Sequence, residues 1–322
     1  MARQKRLKIQ GEESYYHIIS RTVGQEFFLG DEEKENLFNI IKYYSGMYFV
    51  KVIGYCIMSS HVHLLIKSEP EFKYTDVQLF ARIEKYVLKG KKLPKHINMD
   101  SYLNKYRKKF ENISEYARSV KQTFARWYNK INNRTGYFWG DRFKSVLFEP
   151  GNSLITCLAY IELNPIRAKM VKLPEEYRWS SIHYRVVRGN RDHFLSFDGI
   201  FDNCDEISKK EQLATYRYFV YKAGNVTRIT LKDIEEGRWD DDRPRIDDIV
   251  YNEELQRNFQ LPAGDLILRK VRHFSDGLVI GTKLFIKKAY SQFGGNVILK
   301  KDRKAHQTGI NSSLYSLKRL VC

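Results

Sequence analysis

At residues 55–66 the chain reads Tyr55-Cys56-Ile57-Met58-Ser59-Ser60-His61-Val62-His63-Leu64-Leu65-Ile66. Apolar residues on either side of the two serines predict two adjacent strands joined by a short connection. Residues two apart on a strand point to the same face, so His61 and His63 emerge together. Two such imidazoles can share a divalent cation if an oxygen-bearing ligand joins them. On its own, however, the pattern favours two half-buried histidines or a surface pair without a ligand.

A second informative stretch reads Leu158-Ala159-Tyr160-Ile161-Glu162-Leu163-Asn164-Pro165-Ile166-Arg167-Ala168. Apolar residues at helical spacing predict a helix that ends near Pro165, because proline does not continue a helix comfortably. Tyr160 and Asn164 are four residues apart and therefore share one side of this helix. In a chain with 22 tyrosines, a helical tyrosine by itself is normally a packing residue. The remote His-x-His pair and the nearby amide make Tyr160 a candidate for chemistry.

The order of these motifs resembles that of the REP-associated tyrosine transposases, a branch of the single-tyrosine HUH nucleases related to insertion-sequence transposases. The resemblance covers roughly residues 14–185. Its motifs lie at residues 16–21, 55–66, 124–129, 136–145, 160–168 and 174–181. Each motif is weak alone, but several in order at compatible spacing form a specific signal.

The resemblance implies that His61 and His63 are metal ligands, that Tyr160 is the nucleophile and that Asn164 is the third ligand. The implied cofactor is Mg²⁺ or Mn²⁺, and the implied partner is single-stranded DNA with a hairpin, a REP-like palindrome. The implied activity is that of a transposase-like, metal-dependent single-stranded DNA endonuclease and strand transferase. It would cut next to the hairpin through a covalent 5′-phosphotyrosine intermediate. Because that bond conserves the energy of the cut phosphodiester, rejoining needs no ATP, and the chain has no nucleotide-binding P-loop motif.

Three alternative functions stay open at this point. The first is a non-catalytic nucleic-acid-binding regulator on the same fold, which would keep the charge and the aromatic residues without the chemistry. The second is an HUH nickase of the replication type, which differs in the origin of its substrate. The third is a metal-dependent phosphodiesterase that uses water, for which Tyr160 would be dispensable.

The elements around the motifs predict an α+β fold. Strands are expected at 15–22, 49–58 and 61–67, a helix opens at Asp31-Glu32-Glu33, and an amphipathic helix is expected at 114–131. This order is that of a ferredoxin-like or RRM-like α/β plait, an antiparallel sheet with helices on one face. A small C-terminal mixed or helical domain is expected to follow the plait.

The predicted domain organisation has three parts. Residues 1–190 form the HUH catalytic domain, residues 191–245 a connector with an acidic stretch at 233–242, and residues 246–322 a C-terminal, DNA-binding appendage. A basic insertion at about 70–112 departs from the family, whose members usually cross this region with a short loop. Its lysines and interleaved tyrosines could grip DNA, although a solvated helical face is the safer interpretation.

Composition agrees with a nucleic-acid partner. The 322 residues include 56 Lys and Arg against 38 Asp and Glu, a formal charge of +18 that attracts a polyanion. The four cysteines show neither disulfide-like nor Cys-x-x-Cys spacing, which fits a cytoplasmic, nucleoid-associated protein. The sequence contains no apolar run of about 18 residues, so no membrane-spanning helix is predicted. Both a monomer and a homodimer are compatible with the sequence.

Several further residues are candidates with ordinary alternatives. Arg142 and Lys144 are the first choice for phosphate contacts, and Arg21 and Arg126 are weaker candidates of the same kind. Exposed cations often only solvate a surface, so each of the four can equally be structural. His17, on the first strand, either approaches the site across the sheet or needs no function.

Two positions next to the motifs qualify the prediction. Glu162 lies two residues from Tyr160, so the helix turns it away, and we expect it at the surface or in a salt bridge. Ser59 and Ser60 precede His61 where relatives commonly have Pro and Asn. A serine can still form a hydrogen bond there, so the predicted metal pair survives.

Overall fold

The computed structural model describes residues 7, 9, 11–93, 96–202, 207–225, 245–249, 251–253, 278–291, 306–307 and 315–317. The predicted acidic stretch at 233–242 lies outside these residues, as do Cys204 and Cys322. Cys56 and Cys157 are buried free thiols. Among the described helices, none is both long enough and apolar enough to span a bilayer.

The first part of the chain forms the predicted strands and helices together with further elements. They are β1 (Ser14–Arg21), α1 (Asp31–Met47), β2 (Val50–Ile57), β3 (His61–Ser68), α2 (Asp76–Ile83), α3 (Met99–Glu111), α4 (Ile113–Ile131) and β4 (Lys144–Phe148). Three acidic residues in the first turn of α1 complement the positive end of the helix dipole. Two helices not included in the pattern of the plait, α2 and α3, fill the predicted insertion.

The later part of the chain is mainly helical before it returns to the sheet. It contains α5 (Asn152–Glu162), α6 (Asn164–Arg167), α7 (Ser181–Val186), α8 (Lys209–Asn225), β5 (Val279–Gly281), α9 (Lys283–Ser291), β6 (His306–Gln307) and β7 (Tyr315–Leu317). Short 3-10 turns at Val23–Gln25, Glu71–Lys73 and Pro174–Glu176 connect some of these elements, and a π-helical turn at Glu84–Leu88 follows α2.

The predicted plait is confirmed by the strand order. Across the described residues the sheet runs β2-β3-β1-β4-β5-β7-β6. β3 is antiparallel to both β1 and β2, and β1 is antiparallel to β4. With α1 between β1 and β2 and α4 between β3 and β4, this is the split βαβ arrangement of a ferredoxin-like fold.

The two faces of the sheet are covered by different helices. α1 and α4 contact each other and cover the face that carries Ile18 and Leu64, as predicted. The opposite face carries the histidines and is covered in part by α5, a second helical layer beyond the predicted plait. Gly54 of β2 permits this layer, because a Cβ there would collide with Leu158 of α5. The sequence thus has a glycine where the α5 helix must approach the sheet.

The insertion is helical and most of its lysines face solvent. Thr75 caps α2 and Asn98 caps α3, and each side chain accepts a backbone N–H. Leu79 and Phe110 are fully buried and anchor the two helices to the core. The exposed lysines among the described residues of the insertion are Lys73, Lys85, Lys89, Lys91, Lys92, Lys105 and Lys108. This agrees with a solvated face, and the alternative role in gripping DNA stays a prediction.

Part of the predicted C-terminal appendage joins the main sheet. Val279 and Ile280 of β5 pair in parallel with Leu147 and Phe148 of β4, and β7 pairs antiparallel with β5. The side-chain hydroxyl of Thr282 also donates a hydrogen bond of 3.0 Å to Glu149. The described residues of this part are mixed α and β, as predicted, and the division into domains stays a prediction.

Candidate active site

Three histidines form a row on the face of the sheet that α5 covers. The ring centroids of His61 and His63 lie 5.0 Å apart, so the predicted pair does emerge together from β3. His17 of β1 stacks on His63, also at 5.0 Å between centroids, and its Nε2 lies 2.9 Å from His63 Nδ1. The alternative in which His17 approaches the site across the sheet is therefore the one observed.

The hydrogen bonds of the rings determine which nitrogens can bind a ligand. His63 uses Nδ1 for its bond to His17, and His61 Nδ1 lies 3.1 Å from the hydroxyl of Ser60. When Nδ1 carries the proton and donates in these bonds, Nε2 of each neutral ring keeps the lone pair that can coordinate a cation. A second group that holds Nδ1 and fixes the ring is the usual support of metal-binding histidines. Ser60 thus makes the hydrogen bond that we expected a serine to retain before His61.

The environment keeps both imidazoles neutral. Burial, with a further contribution from Arg21, lowers the pKa of His61 to about 4. Burial and the neighbouring imidazole of His17 hold the pKa of His63 well below its usual range. Neutral rings keep the nitrogen lone pairs that coordination requires.

Tyr160 lies beside this row, although its ring comes from α5, almost a hundred residues further along the chain. Its ring centroid is 5.9 Å from that of His63 and 6.2 Å from that of His17, in edge contact with both. The side chain is only partly buried. The predicted nucleophile therefore lies beside one of the predicted ligands, His63, while the chemical roles of both stay predictions.

Asn164 marks a break in the helix that carries Tyr160. α5 ends at Glu162, and α6 begins at Asn164, with Pro165 in its first turn. The Asn164 side-chain nitrogen donates to the backbone carbonyls of Tyr160 and Ile161 at 3.1 and 3.0 Å. The nitrogen end of the amide is thus used within the helix, which leaves the oxygen end for a cation.

Arg167 belongs to the site and was missed by the sequence argument. Its guanidinium carbon lies 4.6 Å from the centroid of the Tyr160 ring, and one of its nitrogens donates to the Tyr160 backbone carbonyl. The positive charge also contributes to the low pKa of His63, which places it close to both groups. The signal was present in the motif at residues 160–168, where Arg167 lies two turns after Tyr160.

The predicted DNA-binding cations divide by location. The sheet register pairs Arg21 with His61, and it pairs Lys144 with Ile19, the residue opposite His63. Because paired residues point to the same face, Arg21 and Lys144 flank the candidate site. Arg142 is exposed just before Lys144. By contrast, Arg126 is exposed on α4, which covers the other face, so the structure does not bring it to the site.

The expectation that Glu162 is at the surface or in a salt bridge is wrong. Its side chain is fully buried and accepts hydrogen bonds from the hydroxyls of Ser181 and Tyr216, the latter at 2.6 Å. Burial raises the pKa of this carboxyl to about 7. Ser181 in turn accepts a bond of 2.9 Å from the backbone N–H of Tyr55. Glu162 thus ties α5 to α7, α8 and β2 on the side of the helix away from solvent.

The donor set fits a small divalent cation by its chemistry. Among the described residues, no group of three or more His, Cys, Asp or Glu side chains is arranged to hold a metal ion. Two neutral imidazole nitrogens and one amide oxygen are a mixed set of the kind that accepts Mn²⁺ or Mg²⁺. The buried bond from His17 to His63 supplies the support that such a set needs.

The comparisons with known proteins identify part of the chain. Residues 11–83 match the family model described as "Transposase IS200 like". Over these residues the chain is similar to that family. The predicted relation to insertion-sequence transposases is thereby confirmed for the segment that contains His17, His61 and His63.

Two solved structures are similar at low identity. One is described as a REP-associated tyrosine transposase bound to a REP hairpin, with 15% identity, coverage of 65% of this chain and 100% of that chain, and a TM-score of 0.40. The other is described as a candidate transposase from Deinococcus radiodurans R1, with 15% identity, coverage of 45% and 85%, and a TM-score of 0.26. No curated protein matches the chain.

Proposed function

We propose that this protein is a metal-dependent single-stranded DNA endonuclease and strand transferase of the transposase type. The proposal depends on one observation, the contact of the Tyr160 ring with His63 and His17 in a single cluster. A phenol beside the imidazole of a proposed metal ligand is the arrangement that a covalent phosphotyrosine reaction requires. The IS200-like match of residues 11–83 supports the same chemistry.

Tyr160 acts as the nucleophile in the proposed reaction. Its phenolic oxygen attacks the phosphorus in line and forms a P–O bond, and the bond from phosphorus to the 3′ oxygen breaks. The phenol loses its proton and the leaving 3′ oxygen takes one up, with water as the carrier, so the products are a 5′-phosphotyrosine and a free 3′-hydroxyl. Arg167, with its charge 4.6 Å from the ring centroid, stabilises the negative charge that develops on the phenol. Attack by a 3′-hydroxyl on the phosphotyrosine reverses the step and rejoins DNA without ATP.

His61, His63 and Asn164 would hold the cation, Mg²⁺ or Mn²⁺, through two Nε2 atoms and one amide oxygen. When bound, the cation supplies a positive field at a non-bridging phosphate oxygen and so offsets charge in the transition state. His17 holds the His63 ring in position through the bond of 2.9 Å. Arg21 and Lys144, on the same face, contact the flanking phosphates.

The substrate that we propose is a single strand with a short palindromic hairpin, cut next to the hairpin. The formal charge of +18 favours such a polyanion at low salt. The hairpin itself follows from the resemblance of the motifs to the REP-associated transposases. We place the protein at the nucleoid in the cytoplasm, as a monomer or a homodimer.

The decisive experiment is a search for a covalent adduct. The protein is incubated with labelled single-stranded hairpin oligonucleotides and Mn²⁺ or Mg²⁺, and a protein–DNA band that survives denaturation is measured. Tyr160→Phe should abolish this band and keep hairpin binding, whereas Tyr102→Phe in the insertion should keep both. A band in Tyr160→Phe would refute the proposed nucleophile.

The same assay separates the alternative functions. His61→Ala and His63→Ala should stop cleavage, while His193→Ala, an exposed histidine elsewhere, should not. Cleavage that persists in Tyr160→Phe without an adduct would indicate a phosphodiesterase that uses water. Hairpin binding by the unaltered protein without any cleavage would indicate the non-catalytic regulator.

A further inference from the structure

Two aromatic side chains beside the candidate site project into solvent. The exposed fraction is 82% for Phe27 and 87% for Tyr137, the largest values among the exposed large hydrophobic residues that the structure describes. Leaving apolar rings in water is unfavourable by the area that they expose, so such residues often belong to a binding surface. The reaction proposed for Tyr160 and the histidines gives neither exposed ring a role.

The two rings are carried by segments that are joined to each other. The backbone N–H of Val23 donates to the carbonyl of Phe138 at 2.9 Å, and Thr22 forms a β-bridge with Trp139. The rings of Phe28 and Phe138, which follow the two exposed residues, pack with centroids 6.0 Å apart. The inner pair therefore fixes the backbone, while the outer pair, Phe27 and Tyr137, is left outside.

This surface adjoins the end of the sheet at which β3 begins with His61, the first proposed metal ligand. Leu29 donates a backbone hydrogen bond of 3.0 Å to the carbonyl of Ser59, and Thr22 donates one of 2.9 Å to Ser60, the residue before His61. Phe27 is only two residues from Leu29, which corresponds to about 7 Å of extended chain. A few nucleotides can therefore reach from the site to both rings.

Charge indicates the kind of partner that this surface accepts. Residues 21–29 and 134–145 carry four cations, Arg21, Arg134, Arg142 and Lys144. The acidic residues in these two ranges are Glu26 and Asp141. A net positive surface with exposed rings repels a second copy of this basic chain and attracts a polyanion with flat bases. Such rings stack on unpaired bases whatever the sequence, because every base has a π-face.

We propose that Phe27 and Tyr137 form a stacking platform for unpaired bases of single-stranded DNA next to the candidate site. The proposal deepens the proposed function and rests on it for the identity of the strand. The rings bind bases, while the surrounding arginines and Lys144 contact phosphates. Because the platform lies at the His61 end of the sheet, it would hold the strand that enters the site rather than the duplex stem.

The test measures binding without chemistry, in protein that carries Tyr160→Phe. Two fluorescein-labelled probes are compared, a strand of twenty thymidines and an abasic strand of the same length, which keeps the phosphates but lacks the bases. Phe27→Ala and Tyr137→Ala should each weaken binding of the thymidine strand by about five- to a hundredfold. Binding of the abasic strand should stay within about twofold. Phe72→Ala provides the matched control, since Phe72 is 72% exposed but lies in the turn before α2.

Three results decide the proposal. Phe27→Trp, which keeps a flat ring, should retain binding of the thymidine strand. Unchanged affinity in both alanine variants would overturn the platform, and so would an equal loss for the two probes. The binding test is independent of cleavage. If protein that keeps Tyr160 forms the covalent adduct but the affinity for the thymidine strand does not depend on Phe27 and Tyr137, only the platform is refuted. Base-dependent binding without an adduct in the unaltered protein refutes only the proposed enzyme.

Discussion

Gly54 offers a way to move the Tyr160 helix without touching the candidate site. A Cβ added at this position would lie 3.1 Å from Ser181 Oγ and 3.6 Å from Leu158 Cγ, and closer still to the Leu158 Cδ1 methyl. In Gly54→Ala, either Leu158 must adopt another rotamer or α5 must move away from the sheet. Overpacking of this kind destabilises a protein by about 1–3 kcal/mol.

The same substitution should also slow the proposed reaction. Leu158 lies two residues before Tyr160 on the same helix, so an outward shift of α5 changes the position of the phenol relative to His63. A displacement of about 1 Å can slow a reaction by about a hundredfold. Leu158→Ala alone removes a fully buried side chain and should destabilise the protein by about 2–5 kcal/mol.

The double variant tests the geometry directly. If the methyl group added at position 54 collides with Leu158, the combination of Gly54→Ala and Leu158→Ala should be more stable than the sum of the two losses predicts, by about 1–3 kcal/mol. The free energy of unfolding is measured in urea, and the rate of adduct formation is measured on the same samples. Strictly additive losses, or a Gly54→Ala protein with unchanged stability and rate, would refute the proposed contact.

Three further outcomes are expected. Arg167→Ala should slow adduct formation about ten- to a hundredfold, because the charge beside the Tyr160 ring is lost, while hairpin affinity measured by fluorescence anisotropy stays close to that of the unaltered protein. Tyr216→Phe removes one hydrogen bond to the buried Glu162 carboxyl and should lower the free energy of unfolding in urea by about 1–2 kcal/mol. Burial alone would raise the pKa of Asp198. Hydrogen bonds from Lys51 and Ser196 outweigh this effect and lower the pKa of Asp198 to about 2. The stabilisation by Asp198 is therefore present above about pH 4 and lost as the pH falls toward 2, and thermal melts of Asp198→Asn should lack that loss.

Local sequence patterns predicted the elements of the plait because each carries its own signal. Runs of apolar residues marked β2 and β3, and the acidic first turn marked α1. The short connection between β2 and β3 also follows from the pattern, since two serines separate two apolar runs. The pairing of β5 with β4 could not be predicted, because β5 is only three residues long and its partner lies more than a hundred residues earlier.

The candidate site was predictable only in part. His61, His63 and Tyr160 could be chosen from their motifs, yet the contact of His17 with His63 depends on how β1 is aligned with β3, which no local pattern contains. Glu162 was misjudged for a related reason. A single amphipathic helix was expected to have one buried side, but α8 packs on α5 and makes a second side buried.

The distances along the chain between these contacts determine when the cluster can form during synthesis. His17 emerges from the ribosome early and Tyr160 only after half of the polypeptide has been made, so the nascent protein first presents histidines without a phenol. A further 54 residues must be synthesised after Glu162 before Tyr216 can join Ser181 as a hydrogen-bond donor to the Glu162 carboxyl. A translation product that stops before Tyr216 would carry every proposed reactive group, but its α5 helix, which carries Tyr160, would lack the hydrogen bond from Tyr216 to Glu162. Premature termination would thus be expected to yield a loosely held nucleophile rather than a competent nuclease.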